Sequence, residues 1–98
     1  MQLSKMTEIL EVACRVCGCS VRQAKGSDRR AKVMNARYIF FLLAREEGAR
    51  QFESLWFLNR SRNVGYHYSK TARNFEQNDT AFQKLLARAK NALEQSSK

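Results

Sequence analysis

Residues 51–76 read QFESLWFLNRSRNVGYHYSKTARNFE, and how this stretch folds decides the architecture. Phe52, Leu55 and Trp56 recur at helical spacing and pattern a short helix ending near Leu58. Asn59-Arg60 reads as a turn, and Ser61 is suited to N-cap a second helix reaching Glu76. Two short helices joined by a tight turn are the signature of a helix-turn-helix. On the second helix Val64, Tyr68, Thr71 and Phe75 should face inward, leaving Arg62, Asn63, Tyr66, Ser69, Lys70 and Arg73 outward. Gly65 falls in its first turn, where it costs up to about 1 kcal/mol against Ala. That cost is tolerable if the first helix of the pair crosses closely there.

The flanking segments extend a helical pattern. Proline is absent, and the four glycines stand at 18, 26, 48 and 65. The first three fall where apolar periodicity stops, as left-handed helix caps do. A first helix is expected over residues 7–17, with Ile9, Leu10, Ala13, Cys14, Val16 and Cys17 on its apolar face. Ser20 and Gln23 form an S-x-x-Q capping box for a short second helix closed by Gly26. Ser27 or Asp28 should cap a third, running to Glu47, whose centre from Tyr38 to Ala44 is apolar all round and so surrounded by other helices. Asn78-Asp79 caps a last helix with Phe82, Leu85, Leu86, Ala89 and Leu93 as its buried stripe; Ser96-Ser97-Lys98 should fray. The expected fold is therefore a single all-α domain over residues 1–98, of about six helices. Phe40, Phe41, Leu43, Trp56, Val64, Phe75, Phe82 and Leu86 should share its core, with the helix-turn-helix at about 51–76.

Charge points to the class of partner. Lys and Arg number 18 against 9 Asp and Glu, for a net charge of +9. The excess is clustered: residues 15–37 hold seven basic side chains and one acid, Asp28. No acid lies between Ser54 and Phe75, whereas Arg60, Arg62, Lys70 and Arg73 do. Acids collect instead at Glu46, Glu47 and Glu53. Clustered positive charge around a helix-turn-helix makes a phosphate-binding face. Arg can bond guanine bidentately and Asn adenine, in a major groove that admits one helix, so Arg62 and Asn63 suit base reading. Lys70 and Arg73, a turn or more further on, suit phosphates.

Other chemistry finds little support. Cys14-x-x-Cys17-x-Cys19 has a metal-like spacing, but a structural zinc site needs four ligands and the sole histidine, His67, lies on another helix. Reduced, metal-free thiols in a cytoplasm are expected. His67 lacks a partnered nucleophile or carboxylate, so no catalytic residue, cofactor or small-molecule substrate is expected. The longest apolar run is far short of the ~20 residues that span a bilayer, and the first residues do not read as a signal peptide, so no membrane partner is expected.

At this point the sequence resembles a known family, the C-terminal DNA-binding domain of the bacterial chromosomal replication initiator DnaA. Its G-R-D-H-[ST]-T-V-x-H-A signature aligns without a gap on residues 59–68, with Arg60 and His67 matching outright. The signature's Asp, His and first Thr are here Ser61, Arg62 and Asn63, and its Val is Gly65. Arg29 and Ala36-Arg37-Tyr38-Ile39 fall at the spacing of the family's basic loop and long-helix motif, and Lys70-Thr71-Ala72, Asn74 and Asp79-x-x-Phe82 resemble its mobile-element relatives. The resemblance implies a Trp-repressor-like, initiator C-terminal-like fold. It implies duplex DNA binding with Arg29 in the minor groove, the helix from Ser61 in the major groove and Arg37 at the backbone. The expected DNA-contacting set is thus Arg29, Arg37, Arg60, Ser61, Arg62, Asn63, Tyr66, His67, Ser69, Lys70 and Arg73. Such a protein would work in the bacterial cytoplasm with the nucleoid, as a homodimer or with a further protein partner; the resemblance does not imply replication initiation, and repression, replication and mobile-element maintenance all stay open as its role. It would lack the initiator's nucleotide-binding domain, since no G-x-x-x-x-G-K-[ST] occurs. Two alternatives stay open: an adaptor docking an acidic protein, and a single-strand or RNA binder using Tyr38, Trp56, Tyr66 and Tyr68.

Overall fold

The computed structural model describes residues 3–96, except for the side chains of Arg62 and Ser96; the expected fraying at Ser97 and Lys98 lies outside the described residues. Six α-helices follow one another: α1 (Leu3–Cys17), α2 (Val21–Lys25), α3 (Ala31–Glu46), α4 (Gln51–Phe57), α5 (Gly65–Asn78) and α6 (Thr80–Ser96). A 3₁₀ turn, Arg62–Val64, precedes α5, and no strand occurs among the described residues. The fold is all-α, as the proline-free pattern implies.

α3 is the axle. Its residues from Ala36 to Ala44 are all buried, and it touches each of the other five helices. A segment apolar on every side needs neighbours on every side, which is why α1, α5 and α6 wrap it. Aromatic contacts then fix the outer helices to it. Tyr38 meets Tyr68 of α5 edge-on at 5.2 Å and Phe75 at 5.5 Å, and Phe75 meets Phe82 of α6 at 5.5 Å. Phe40 stacks on Phe57 of α4 at 5.5 Å. Ring pairs of this geometry add roughly 0.5–1.5 kcal/mol each beyond their buried area.

Helix ends follow local chemistry. Gly18 (φ 79°) and Gly48 (φ 100°) adopt the left-handed conformation. Each lets the next amide reach back to the carbonyl five residues earlier: Cys19 N–H to Cys14 O at 2.9 Å, and Ala49 N–H to Ala44 O at 2.9 Å. Asn59 (φ 60°) ends α4 the same way, with Arg60 N–H on Leu55 O at 2.8 Å. Gly26 corrects the expectation, because its φ is −93° and no left-handed cap forms. The Ser20–Gln23 capping box is present, with bonds of 3.0 and 2.8 Å. Asp79 Oδ1 accepts the Phe82 N–H at 3.0 Å and caps α6.

Three further expectations are corrected. Trp56 is 66% exposed; Phe57 and Leu58, its neighbours in sequence, enter the core instead. Val64 and Phe75 pack only partly buried against that core. α3 starts at Ala31, because Asp28 turns its carboxylate to Arg30, accepting the backbone N–H at 2.9 Å and the guanidinium at 2.6 Å, rather than capping a helix.

Candidate nucleic-acid interface

The α4–α5 pair is joined by residues 58–64, a longer link than the three or four residues of a tight helix-turn-helix. Ser61 does not cap α5. Its Oγ accepts the Asn63 N–H at 3.2 Å and so caps the intervening 3₁₀ turn, after which α5 begins at Gly65. Gly65 is buried where α4 crosses. A Cβ built there would collide with the end of the Gln51 side chain and lie 3.2 Å from Leu55 Cδ1. The close crossing that excuses a first-turn glycine is present.

The expected inward row of α5 is met only in part: Tyr68 is buried, Val64, Thr71 and Phe75 are half-buried, and Ala72, outside that row, is buried with Tyr68. Of the outward set, Asn63, Tyr66, Lys70 and Arg73 are exposed, as is His67, and Ser69 is partly so. Tyr66 is 76% exposed, and Lys70 Nζ stands 6.0 Å from its ring centroid. Along this face Tyr66, His67, Lys70, Arg73, Asn74 and Gln77 line a shallow trough of about 640 Å³. Asn74 and Gln77 were missed from sequence; Gln77 continues the i, i+3/i+4 row of Tyr66, Lys70 and Arg73, a signal that could have found it.

A second concavity, of about 350 Å³, brings the loop before α3 to α5: Ser27, Arg29, Arg60, Val64 and His67 line it. Arg29 is exposed, and Asp28 beside it is occupied by Arg30. That contact holds the Asp28 carboxyl well below its ordinary range. Arg60 is partly buried, its Nη2 donating to Gly26 O, and Asn59 Nδ2 donates to Lys25 O at 3.4 Å. The turn after α4 is thereby stitched to the C-terminal end of α2.

Arg37 is a correction to the expected contact set. It stands at the back wall of that concavity but is only 1% exposed, its guanidinium spent on backbone carbonyls rather than offered to a phosphate. Its Nε donates to Ala24 O at 2.8 Å, and its Nη2 to Gln23 O at 3.1 Å and Gly26 O at 2.9 Å. Burial, and then the neighbouring Arg60 charge, push its pKa down; an arginine stays charged regardless, and here it neutralises the orphan carbonyls at the end of α2. Among the described residues no group of three or more His, Cys, Asp or Glu could hold a metal ion, and no helix is long and apolar enough to cross a membrane. Cys14 and Cys17 lie on the core side of α1, and burial pushes both thiols up to about 12. No family model, curated protein or solved structure matches the chain.

Proposed function

We propose that the chain binds double-stranded DNA, with α5 entering the major groove and the Ser27–Arg30 loop following the adjoining minor groove. One observation carries this reading: an exposed row running from Asn63 in the 3₁₀ turn along Tyr66, Lys70 and Arg73 of α5 lies beside a concavity in which His67 of α5 meets Arg29 and Arg60 from two other segments. Base edges are read by Arg62 and Asn63 of the turn leading into α5, and phosphates are held by Lys70 and Arg73. A net charge of +9 supplies the sequence-independent part of the attraction. The resemblance of residues 59–68 to the DnaA DNA-binding signature supports the same reading, and with it a place beside the bacterial chromosome or a mobile element.

Selection from a randomised duplex pool, followed by fluorescence anisotropy on the enriched duplex and on its separated strands, tests the proposal. Enrichment of a motif and tighter binding to duplex than to either strand are expected. Equal or tighter binding to the single strands would favour stacking on Trp56 and Tyr66 instead.

A further inference from the structure

The crest of α5 is flanked by two shoulders. With Tyr66, Lys70 and Arg73 along the crest, helical geometry puts His67 and Ser69 roughly 160° apart around the axis. Each forms a wall of a different groove. His67 faces the concavity holding Arg29 and Arg60. Ser69 faces another, of about 360 Å³, at the corner between α3 and α4, lined by Arg45, Arg50, Gln51 and Ser54. Arg45 and Arg50 are exposed.

In sequence these two arginines are masked by Glu46, Glu47 and Glu53. In three dimensions two of the three acids are directed elsewhere. Glu46 and Glu47 line a separate groove with Lys5 and Lys90, against α1 and α6, where Glu46 Oε1 is 3.2 Å from Lys90 Nζ. Glu53 stays beside Arg50: its Oε1 accepts the Arg50 backbone N–H at 3.0 Å, and that bond draws its carboxyl below the usual range, with the Arg50 charge adding to it. Arg45 and Arg50 line the groove walled by Ser69 of α5, with Glu53 offsetting part of the Arg50 charge.

A helix lying in a major groove about 12 Å wide has one phosphodiester strand along each shoulder. We infer that the Arg45–Arg50–Ser69 groove is a phosphate-binding site for the strand opposite the one facing Arg60 and His67. The two grooves together straddle α5 and centre it between the strands. This inference rests on the duplex reading above.

The test is ethylation interference plus salt titration of the intact chain on its selected duplex, for wild type and for the Arg45→Ala/Arg50→Ala double variant. Because both side chains are exposed, the variant should unfold in urea near the wild-type midpoint. Arg45→Gln/Arg50→Gln, which keeps side-chain length, should behave like it. Wild type should show interfering phosphates on both strands. The double variants should lose those on one strand only, bind about tenfold weaker per lost contact near 0.1 M salt, and show a log–log salt slope shallower by about one to two. Their sequence preference should not change. Unchanged affinity, slope and two-strand interference in both variants would overturn this assignment while leaving duplex binding intact. A wild-type chain that does not prefer duplex DNA would overturn the duplex reading and this site together.

Discussion

Arg37 and Arg60 donate to the same acceptor, the carbonyl oxygen of Gly26, although one lies in the middle of α3 and the other in the turn after α4. Two guanidiniums converge on the C-terminal end of α2, where backbone carbonyls carry partial negative charge. The loop bearing Arg29 is therefore held to both the core helix and the turn between α4 and α5.

Arg37→Ala should destabilise the protein by about 1–3 kcal/mol, the cost of leaving Ala24 O without the Arg37 donor while Gln23 O keeps the Gly26 N–H and Gly26 O keeps Arg60. Arg37→Lys should recover little, because a compact ammonium cannot reproduce the planar fork that spans three acceptors. Urea unfolding measures both. A midpoint unmoved by Arg37→Ala would rule out a structural role for this guanidinium.

Trp56 should fluoresce as a solvated indole and be quenched readily by acrylamide in the native protein. Trp56→Ala should stay within about 0.5 kcal/mol of wild-type stability, as surface changes generally do. Phe57→Ala, one position on, should cost about 3–5 kcal/mol by emptying the space against Phe40. Reversed magnitudes would mean that α4 is rotated about its axis.

Asn63→Ala and Arg62→Ala should each cost about 1–3 kcal/mol on the preferred duplex and relax choice of sequence. Lys70→Ala should weaken preferred and random duplexes alike and reduce the salt slope by roughly one. Arg29→Ala should chiefly alter the preference for A·T-rich flanks, since the minor groove separates little beyond A·T from G·C. Equal losses on specific and random DNA for Asn63→Ala and Arg62→Ala would show that α5 is not the reader.

Alkaline pH should weaken the fold through the thiols of Cys14 and Cys17, both pushed up to about 12 by burial. Above the ordinary cysteine range of about 8.5 the unfolded chain releases protons that the folded chain still holds, so stability falls as pH rises toward 12. The urea midpoint should drop between pH 8 and pH 10, and Cys14→Ala/Cys17→Ala should flatten that drop. At pH 8 iodoacetamide should modify these two positions far more slowly in native than in unfolded protein.

Local signals made the helices legible: the Ser20–Gln23 box, Gly18 and Gly48, and the apolar row of α5 all act within a few residues of themselves. Trp56 was misplaced because Leu55-Trp56-Phe57-Leu58 is an unbroken apolar run in a seven-residue helix. Such a run carries no phase; the position of Phe40 on α3 decides which residues turn inward. Arg37 was misread for a similar reason, since its acceptors lie 11 to 14 residues earlier in the chain and nothing in its neighbourhood announces them. The Arg45–Arg50 corner was hidden by averaging over sequence neighbours that fold onto different faces.

The absent side chain at Gly65 also acts as a gauge. With only a hydrogen there, Gln51 and Leu55 rest against the α5 backbone, and the spacing of the two helices is set by contact alone. A methyl group there would push aside only the flexible end of the exposed Gln51 side chain and ask Leu55 Cδ1 to give slightly, so Leu55 is the stop that sets how near α4 lies to α5. A side chain larger than a methyl would press on Leu55 itself, and the fit between the two helices would have to loosen to admit it.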